Sequence, residues 1–375
     1  MKVYLDNNAT TKIYPEVAEK IKEIMINSYG NPSSLHQLGL EAQDIVEESS
    51  ERIAKNFNVN PFEIYYTSGA TESINWALKG SAYSGKKTGK HIVTSSIEHS
   101  AVISCMKSLE RQGYEIDYIN AGKNGIIDLN EFEKKLRKDT VLVSVMSANN
   151  ETGMKQPVEK ISEMVREISE YAVFHVDAVQ SAGKEMLDLK SFDMASFSAH
   201  KFHGPKGSGI LYKKEGIRTI PLIEGGSQQR GLRGGTYNVH GIAGTAEALD
   251  MAVKNICKYE EIKKMRNYIM EELEKYGLLI ITEKENSVPN TVCAVLRKRR
   301  ADTVVNALSD EGIYISRSSA CSSRSESGSR VLKAMGYTED EAMGMMRISL
   351  SDMTTADEVE YFLIKLKNIL SFLKF

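Results

Sequence analysis

Apolar positions along this chain follow two alternating patterns. Short apolar or β-branched runs at 63–67, 91–95, 116–119, 141–146 and 173–176 read as buried strands. Between them, apolar residues three and four apart at 71–82, 101–112, 128–137 and 158–171 read as amphipathic helices. Upstream, Pro15 suits a first helical turn, with Val17, Ile21, Ile24 and Met25 on the inner face, and a second helix spans about 34–57. Strands and helices in alternation predict a mostly parallel sheet covered on both faces. Residues 208–212 are expected to close it as a hairpin-like edge. Past about residue 245 the pattern changes: 246–276 reads as one long charged helix. Strands are expected at 291–296 and 313–316 around a helix at 302–310, with a helix over 356–373 after them. This second part is expected to be a smaller α+β domain.

The length of 375 residues suits two domains, and 41% hydrophobic residues supply a large core. A net charge of −2 provides no broad positive field, which disfavours nucleic-acid binding. The chain reaches Asp6 before any apolar stretch of export type, and no run is long enough to span a membrane. Four cysteines, Cys105, Cys257, Cys293 and Cys321, stand far apart without a Cys-x-x-Cys pair, so neither a zinc site nor a disulfide framework is expected. A cytoplasmic, reducing setting follows as the expectation.

In open α/β sheets, ligands bind at the carboxyl ends of the strands. Here those ends carry Ser68-Gly69-Ala70-Thr71 opening a helix, then Glu98-His99, Asn149-Asn150-Glu151, and Asp177 with Gln180 one turn later. Small residues at a helix N-terminus suit an anion, although a capped tight turn accounts for them equally. Singly, each polar residue reads as a cap; as a set they converge on one crevice. Residues 204–209 lack the Gly-x-x-x-x-Gly-Lys-Ser/Thr loop of nucleoside triphosphate sites. Lys201, in Ser198-Ala-His-Lys201, is a candidate imine-forming lysine. An anion cradle, a ring, a carboxylate, an amide and such a lysine are the parts that pyridoxal phosphate needs.

These parts sit in motifs spread along the chain. They are Tyr4-Leu-Asp-Asn-Asn-Ala-Thr-Thr11, Gly30-Asn-Pro-Ser-Ser-Leu-His36, Thr67-Ser-Gly-Ala-Thr-Glu-Ser73, Glu98-His99, Asn149-Asn-Glu-Thr-Gly153 and His175-Val-Asp-Ala-Val-Gln180. Ser198-Ala-His-Lys201, Arg233-Gly-Gly-Thr236 and Ser319-Ala-Cys321 complete them. In these the chain resembles cysteine desulfurases of the NifS/IscS group, within the class V aminotransferases of fold-type I pyridoxal phosphate enzymes. The resemblance implies a seven-stranded, mostly parallel sheet in a large domain over 13–250. A small α+β domain would comprise 1–12 and 251–375 and carry a cysteine loop at about 316–330. It implies that Lys201 forms the Schiff base, His99 stacks on the ring and assists proton transfer, Asp177 faces the pyridine nitrogen and Gln180 reaches the ring hydroxyl. Ala70, Thr71, Ser198 and His200 would hold the phosphate, with Thr236 reaching across from the other subunit of a homodimer. Asn150 and Arg347 would hold the substrate carboxylate. Without the resemblance, Arg347 would read as a surface ion pair.

Cys321 lies in a serine-rich stretch, 316–329, with Arg317 and Arg324 near enough to favour its thiolate. The resemblance makes it the nucleophile that takes sulfur from L-cysteine as a persulfide, leaving L-alanine, for an iron–sulfur scaffold or tRNA-thiolation acceptor. No intrinsic metal is expected, and any contact between Cys321 and a cluster would be transient. Cys105, Cys257 and Cys293 read as inert packing. Three features depart from the family: Ser318 replaces a glycine, Ser325-Glu-Ser-Gly-Ser replaces the usual Ser-Leu-Glu-Pro-Ser, and little chain follows the last helix. A selenocysteine lyase or aminotransferase on the same scaffold, or a non-catalytic sulfur carrier, are the competing readings. An aminotransferase needs no loop thiol, and a carrier needs neither Lys201, Asp177 nor His99.

Overall fold

A strand covered by helices on both faces has no polar side to present, so its run is buried throughout rather than at every second residue. The computed structural model describes residues 1–297, 299–317 and 328–373. It begins with β1 (Val3–Tyr4), α1 (Pro15–Asn27) and α2 (Gln37–Phe57). The alternating array follows: β2 (Ile64–Thr67), α3 (Ala70–Gly85), β3 (His91–Ser95), α4 (Ser100–Glu110), β4 (Glu115–Ile119), α5 (Leu129–Lys135), β5 (Thr140–Met146), α6 (Val158–Ile168), β6 (Val173–Asp177), β7 (Met194–Ser198) and β8 (Gly209–Lys213). Strands β2, β3, β5, β7 and β8 are buried at every position. The edge strand β4 instead exposes Glu115, and charge on an edge discourages pairing with another chain.

Among the described residues these strands form one seven-stranded sheet in the order β2-β8-β7-β6-β5-β3-β4. All pairs are parallel except those of β8, which is antiparallel to both β7 and β2. The expected hairpin-like edge at 208–212 is therefore corrected: β8 lies inside the sheet and β2 is its edge. A strand of five buried residues needs partners on both sides, and the return from β7 is too short for a parallel crossover. Chain order reverses at β3, which has β4 on one side and β5 on the other, so a crevice opens at the carboxyl ends there.

The single helix expected over 246–276 is two: α7 (Val239–Lys254) and α8 (Tyr259–Lys275). They have different partners, α7 packing on α1 and α2 and α8 on β10 (Thr291–Val295), which one straight rod cannot serve. Asn255 marks the break, its amide donating to Asp352 Oδ2 at 2.7 Å. On α1, Val17 and Ile24 are buried but Met25 points to solvent, so the inner stripe is narrower than expected. Cys257 also departs from expectation: it stands in the 256–258 turn between the two helices and is exposed, whereas Cys105 and Cys293 are buried.

The remaining elements are β9 (Leu279–Ile280), α9 (Ala301–Asp310), β11 (Ile313–Tyr314), α10 (Arg330–Ala334), α11 (Glu339–Met343), β12 (Met345–Ser349) and α12 (Ala356–Phe372). Strands β12, β10 and β9 form an antiparallel sheet, and β1 pairs in parallel with β11. Val3 and Leu5 share a core with Val292, Ile348 and Phe362, separate from the core under the large sheet. The N-terminal strand thus belongs to the C-terminal packing unit. Beyond it the chain crosses to the large sheet, where Thr11 N–H donates to the His200 carbonyl at 2.9 Å. Among the described residues no helix is long and apolar enough to cross a membrane.

Candidate active site

The parallel strands deliver their chemistry to one cavity of about 500 Å³. From β2 come Ser68, Gly69, Ala70 and Thr71, and from the turn after β3 comes His99. Asn150 follows β5, Asp177 and Gln180 follow β6, and Ser198, His200 and Lys201 follow β7. Arg347 enters from β12, and Asn8, Ala9 and Thr10 from the N-terminal crossing. Gly69 caps α3 at φ 153, ψ 173, a backbone region nearly closed to side-chain-bearing residues. The first N–H groups of α3 therefore begin beside the Ser68 and Thr71 side chains, at the helix end that attracts anions.

Lys201 Nζ donates to the carbonyls of Asn8 at 2.6 Å and Ala9 at 2.9 Å. Arg347 is almost fully buried; it donates to Asp6 Oδ1 at 2.6 Å and to the Asn150 carbonyl at 3.1 Å. The surface ion pair considered for Arg347 is thus an interior one. His99 Nδ1 accepts from the Ala101 N–H at 3.2 Å, which puts the proton of the neutral ring on Nε2. Burial, Lys201 and Arg330 push its pKa down to about 4, so the ring is neutral at physiological pH. Burial, Lys201 and Lys206 do the same to His200, also to about 4. Burial raises Asp177 to about 6, against the pull of the Val179 N–H and Lys201. A cationic partner at that carboxyl, such as a ring N–H, would restore its charge.

Behind His99, Glu98 is wholly buried, with Oε1 accepting from Ser95 Oγ at 2.6 Å and the Met146 N–H at 3.0 Å. Burial lifts its pKa to about 8. A folded pKa above the unfolded one gives stability that is complete below the unfolded value and lost as pH rises through the folded one. Glu98→Gln keeps the shape without the ionisation. Urea midpoints measured at pH 6 and pH 9 should therefore diverge, the parent losing about 2–3 kcal/mol that the variant keeps. Equal losses in both would show that Glu98 ionises normally.

Every described residue expected to act within its own chain's site lines this cavity. Thr236 is exposed and outside it. Cys321 lies outside the described residues, as does Arg324. Arg317, expected to assist the thiolate, is engaged by the carboxylate of Asp302. Sequence reasoning gave no role to Asn8, Ala9, Thr10, Glu72 or Lys206, which also line the cavity. For Asn8 the available signal was its place inside the Tyr4–Thr11 motif. Glu72 binds Arg233 Nε at 2.9 Å and the Ser68 N–H at 2.8 Å, tying the Arg233-Gly-Gly-Thr236 segment to the anion cradle. The donor set fits a flat aldehyde with a phosphate arm: N–H and hydroxyl groups at one end, an amine at the other, and a carboxyl, an imidazole and an amide between.

The chain matches the family model described as aminotransferase class-V over residues 3–362. It is 39% identical over 377 residues to the protein of Dictyoglomus turgidum named cysteine desulfurase IscS, covering 99% of this chain and 95% of that one. The protein of the same name from Serratia proteamaculans is 41% identical over 373 residues, covering 96% and 90% respectively. A solved structure named NifS-like protein superimposes with a TM-score of 0.94 at 44% identity, covering 99% of this chain and 100% of its own. Enzymes of this kind depend in general on pyridoxal phosphate. With the family match spanning nearly its whole length, the chain belongs to the aminotransferase class-V family.

Proposed function

We propose that this protein is a pyridoxal-phosphate-dependent cysteine desulfurase that releases L-alanine from L-cysteine and passes the sulfur from Cys321 to an acceptor protein. One observation carries the reading: Lys201, Asp177, His99 and an anion cradle meet in one cavity, in a chain whose relatives over nearly full length are named cysteine desulfurases. Ala70, Thr71, Ser198 and His200 would hold the cofactor's phosphate, Asp177 its ring nitrogen, Gln180 its ring oxygen and Lys201 its aldehyde carbon. His99 would cover the ring, and Thr236 would complete the phosphate site from the second subunit of a homodimer. When bound, the cofactor supplies an electron sink next to the substrate's Cα.

The chain's own groups do the rest. Lys201 Nζ takes the Cα proton and returns one, held near its place by the carbonyls of Asn8 and Ala9. Neutral His99, with a proton on Nε2, is able to exchange one with the substrate. Cys321 thiolate attacks the substrate sulfur. The C–S bond breaks, an S–S bond forms, and the carbon skeleton takes up the thiol proton to leave as alanine. Atoms and electrons balance without an external oxidant. The described cysteines are free, which suits a reducing cytoplasm.

The protein supplied with pyridoxal phosphate and L-cysteine is expected to form alanine and a protein persulfide in equal amounts; absence of alanine would sink the reading. Arg347→Lys is expected to raise KM for L-cysteine and lower kcat/KM by about 10²-fold. A point charge cannot serve Asp6, the Asn150 carbonyl and a substrate carboxylate together. Unchanged steady-state constants would remove Arg347 from substrate binding.

A further inference from the structure

Lys184 is almost fully buried, and no acidic side chain pairs with it among the described residues. Its neighbour Glu185 is bound to Lys155 at 3.2 Å. The other charges acting on it, Lys201 and Arg347, repel it, and burial with that repulsion brings its pKa down to about 7. A lysine kept in such a place needs an explanation, since burying an unpaired ammonium costs several kcal/mol. Its hydrogen bonds supply one. Lys184 Nζ donates to Gln180 Oε1 at 2.9 Å and to Asn8 Oδ1 at 3.4 Å. Gln180 Nε2 in turn donates to the Asn8 carbonyl at 3.2 Å, the carbonyl that also receives Lys201 Nζ.

This pattern fixes the Gln180 amide. The Asn8 carbonyl can only accept and so must face the nitrogen, which turns the amide oxygen to Lys184 Nζ, a donor whether or not it is protonated. Both ends agree, leaving the second N–H of Gln180 as the group available to the cavity. Gly183, at φ 72, makes the turn that sends Lys184 inward; a Cβ there would meet Ala252 Cβ at 2.7 Å.

We propose that Lys184 is a positioning residue that locks Gln180 as a hydrogen-bond donor and adds positive potential, so that the site selects a cofactor whose ring oxygen is an anionic acceptor. The inference rests on the proposed cofactor reading. It acts through Gln180, not by contact with the reacting atoms. Removing a nearby cation makes protonation of the lysine–cofactor linkage easier.

Lys184→Met should therefore raise the pH midpoint of the bound cofactor's visible absorbance by about one unit. The apo-protein's preference for pyridoxal phosphate over its 3-deoxy analogue should fall about tenfold, as expected for losing one oriented bond to a charged oxygen. Lys184→Gln, which is shorter and uncharged, carries the same test should the methionine variant not fold. A merely structural lysine would lower the melting temperature and leave both signatures in place. An unchanged midpoint, or an unchanged preference, overturns the inference. A parent protein that develops no visible absorbance with pyridoxal phosphate overturns the cofactor reading instead.

Discussion

Lys201→Ala is expected to lower alanine formation from L-cysteine by about 10³–10⁴-fold and to abolish the visible absorbance of covalently held cofactor. The reason is geometric. Lys201 follows β7 directly, and its amine is held by two main-chain carbonyls at 2.6 and 2.9 Å, at the edge of the cavity. Two other lysines are near, but neither replaces it. Lys184 is spent on Gln180 and Asn8, and Lys206 comes from the loop before β8. Absorbance spectra and turnover of the purified variant decide the matter. A variant that keeps the absorbance would transfer the imine to another amine and remove Lys201 from its role.

Cys321→Ser is expected to abolish persulfide formation, read by mass spectrometry of the intact protein after L-cysteine. The spectral change on substrate addition should persist, because Lys201, Asp177, Asn150 and Arg347, which line the cavity, are untouched by the substitution. No described thiol is placed to substitute. Cys105 is buried, with a pKa pushed up to about 11, and burial also pushes Cys293 far up; Cys257 is exposed in the 256–258 turn, away from the cavity lining. The flanks of the Cys321 segment support its assignment. Upstream, Ser316 pairs through its backbone with Arg347, which lines the cavity. Downstream, Ser329 Oγ donates to Glu151 at 2.5 Å, and Arg330 holds the carbonyls of Ser96, at 2.6 Å, and Glu98, just before His99. Both ends of the segment are thus tied to elements of the site. Persulfide and alanine formed at the parent rate by Cys321→Ser would show that another group accepts the sulfur.

Much of the candidate site was readable because its residues follow strands directly. His99, Asn150, Asp177 and Lys201 each stand within a few residues of an apolar run, and parallel strands bring their carboxyl ends to one edge. Arg347 was legible only through family resemblance. Its strand, β12, was not anticipated, and nothing local indicates that it pairs antiparallel with β10 inside a second sheet. Lys184 carries no such signal, since a lysine in a polar turn reads as solvated.

Local order along this chain determined the alternation of strand and helix, the caps and glycine at the start of α3, and the chemistry stationed at each strand end. These depend on period and on backbone freedom, which a window of a dozen residues contains. Tertiary contact alone decided that β8 runs inside the sheet, that the helix near 255 breaks, and that Asn8 joins Lys201, Gln180 and Lys184 to Thr291 and Ser349. Those outcomes are set by packing between segments far apart in sequence. Asn8 and Ser349 are brought together by the second core, whose burial repays the entropy of closing so long a loop.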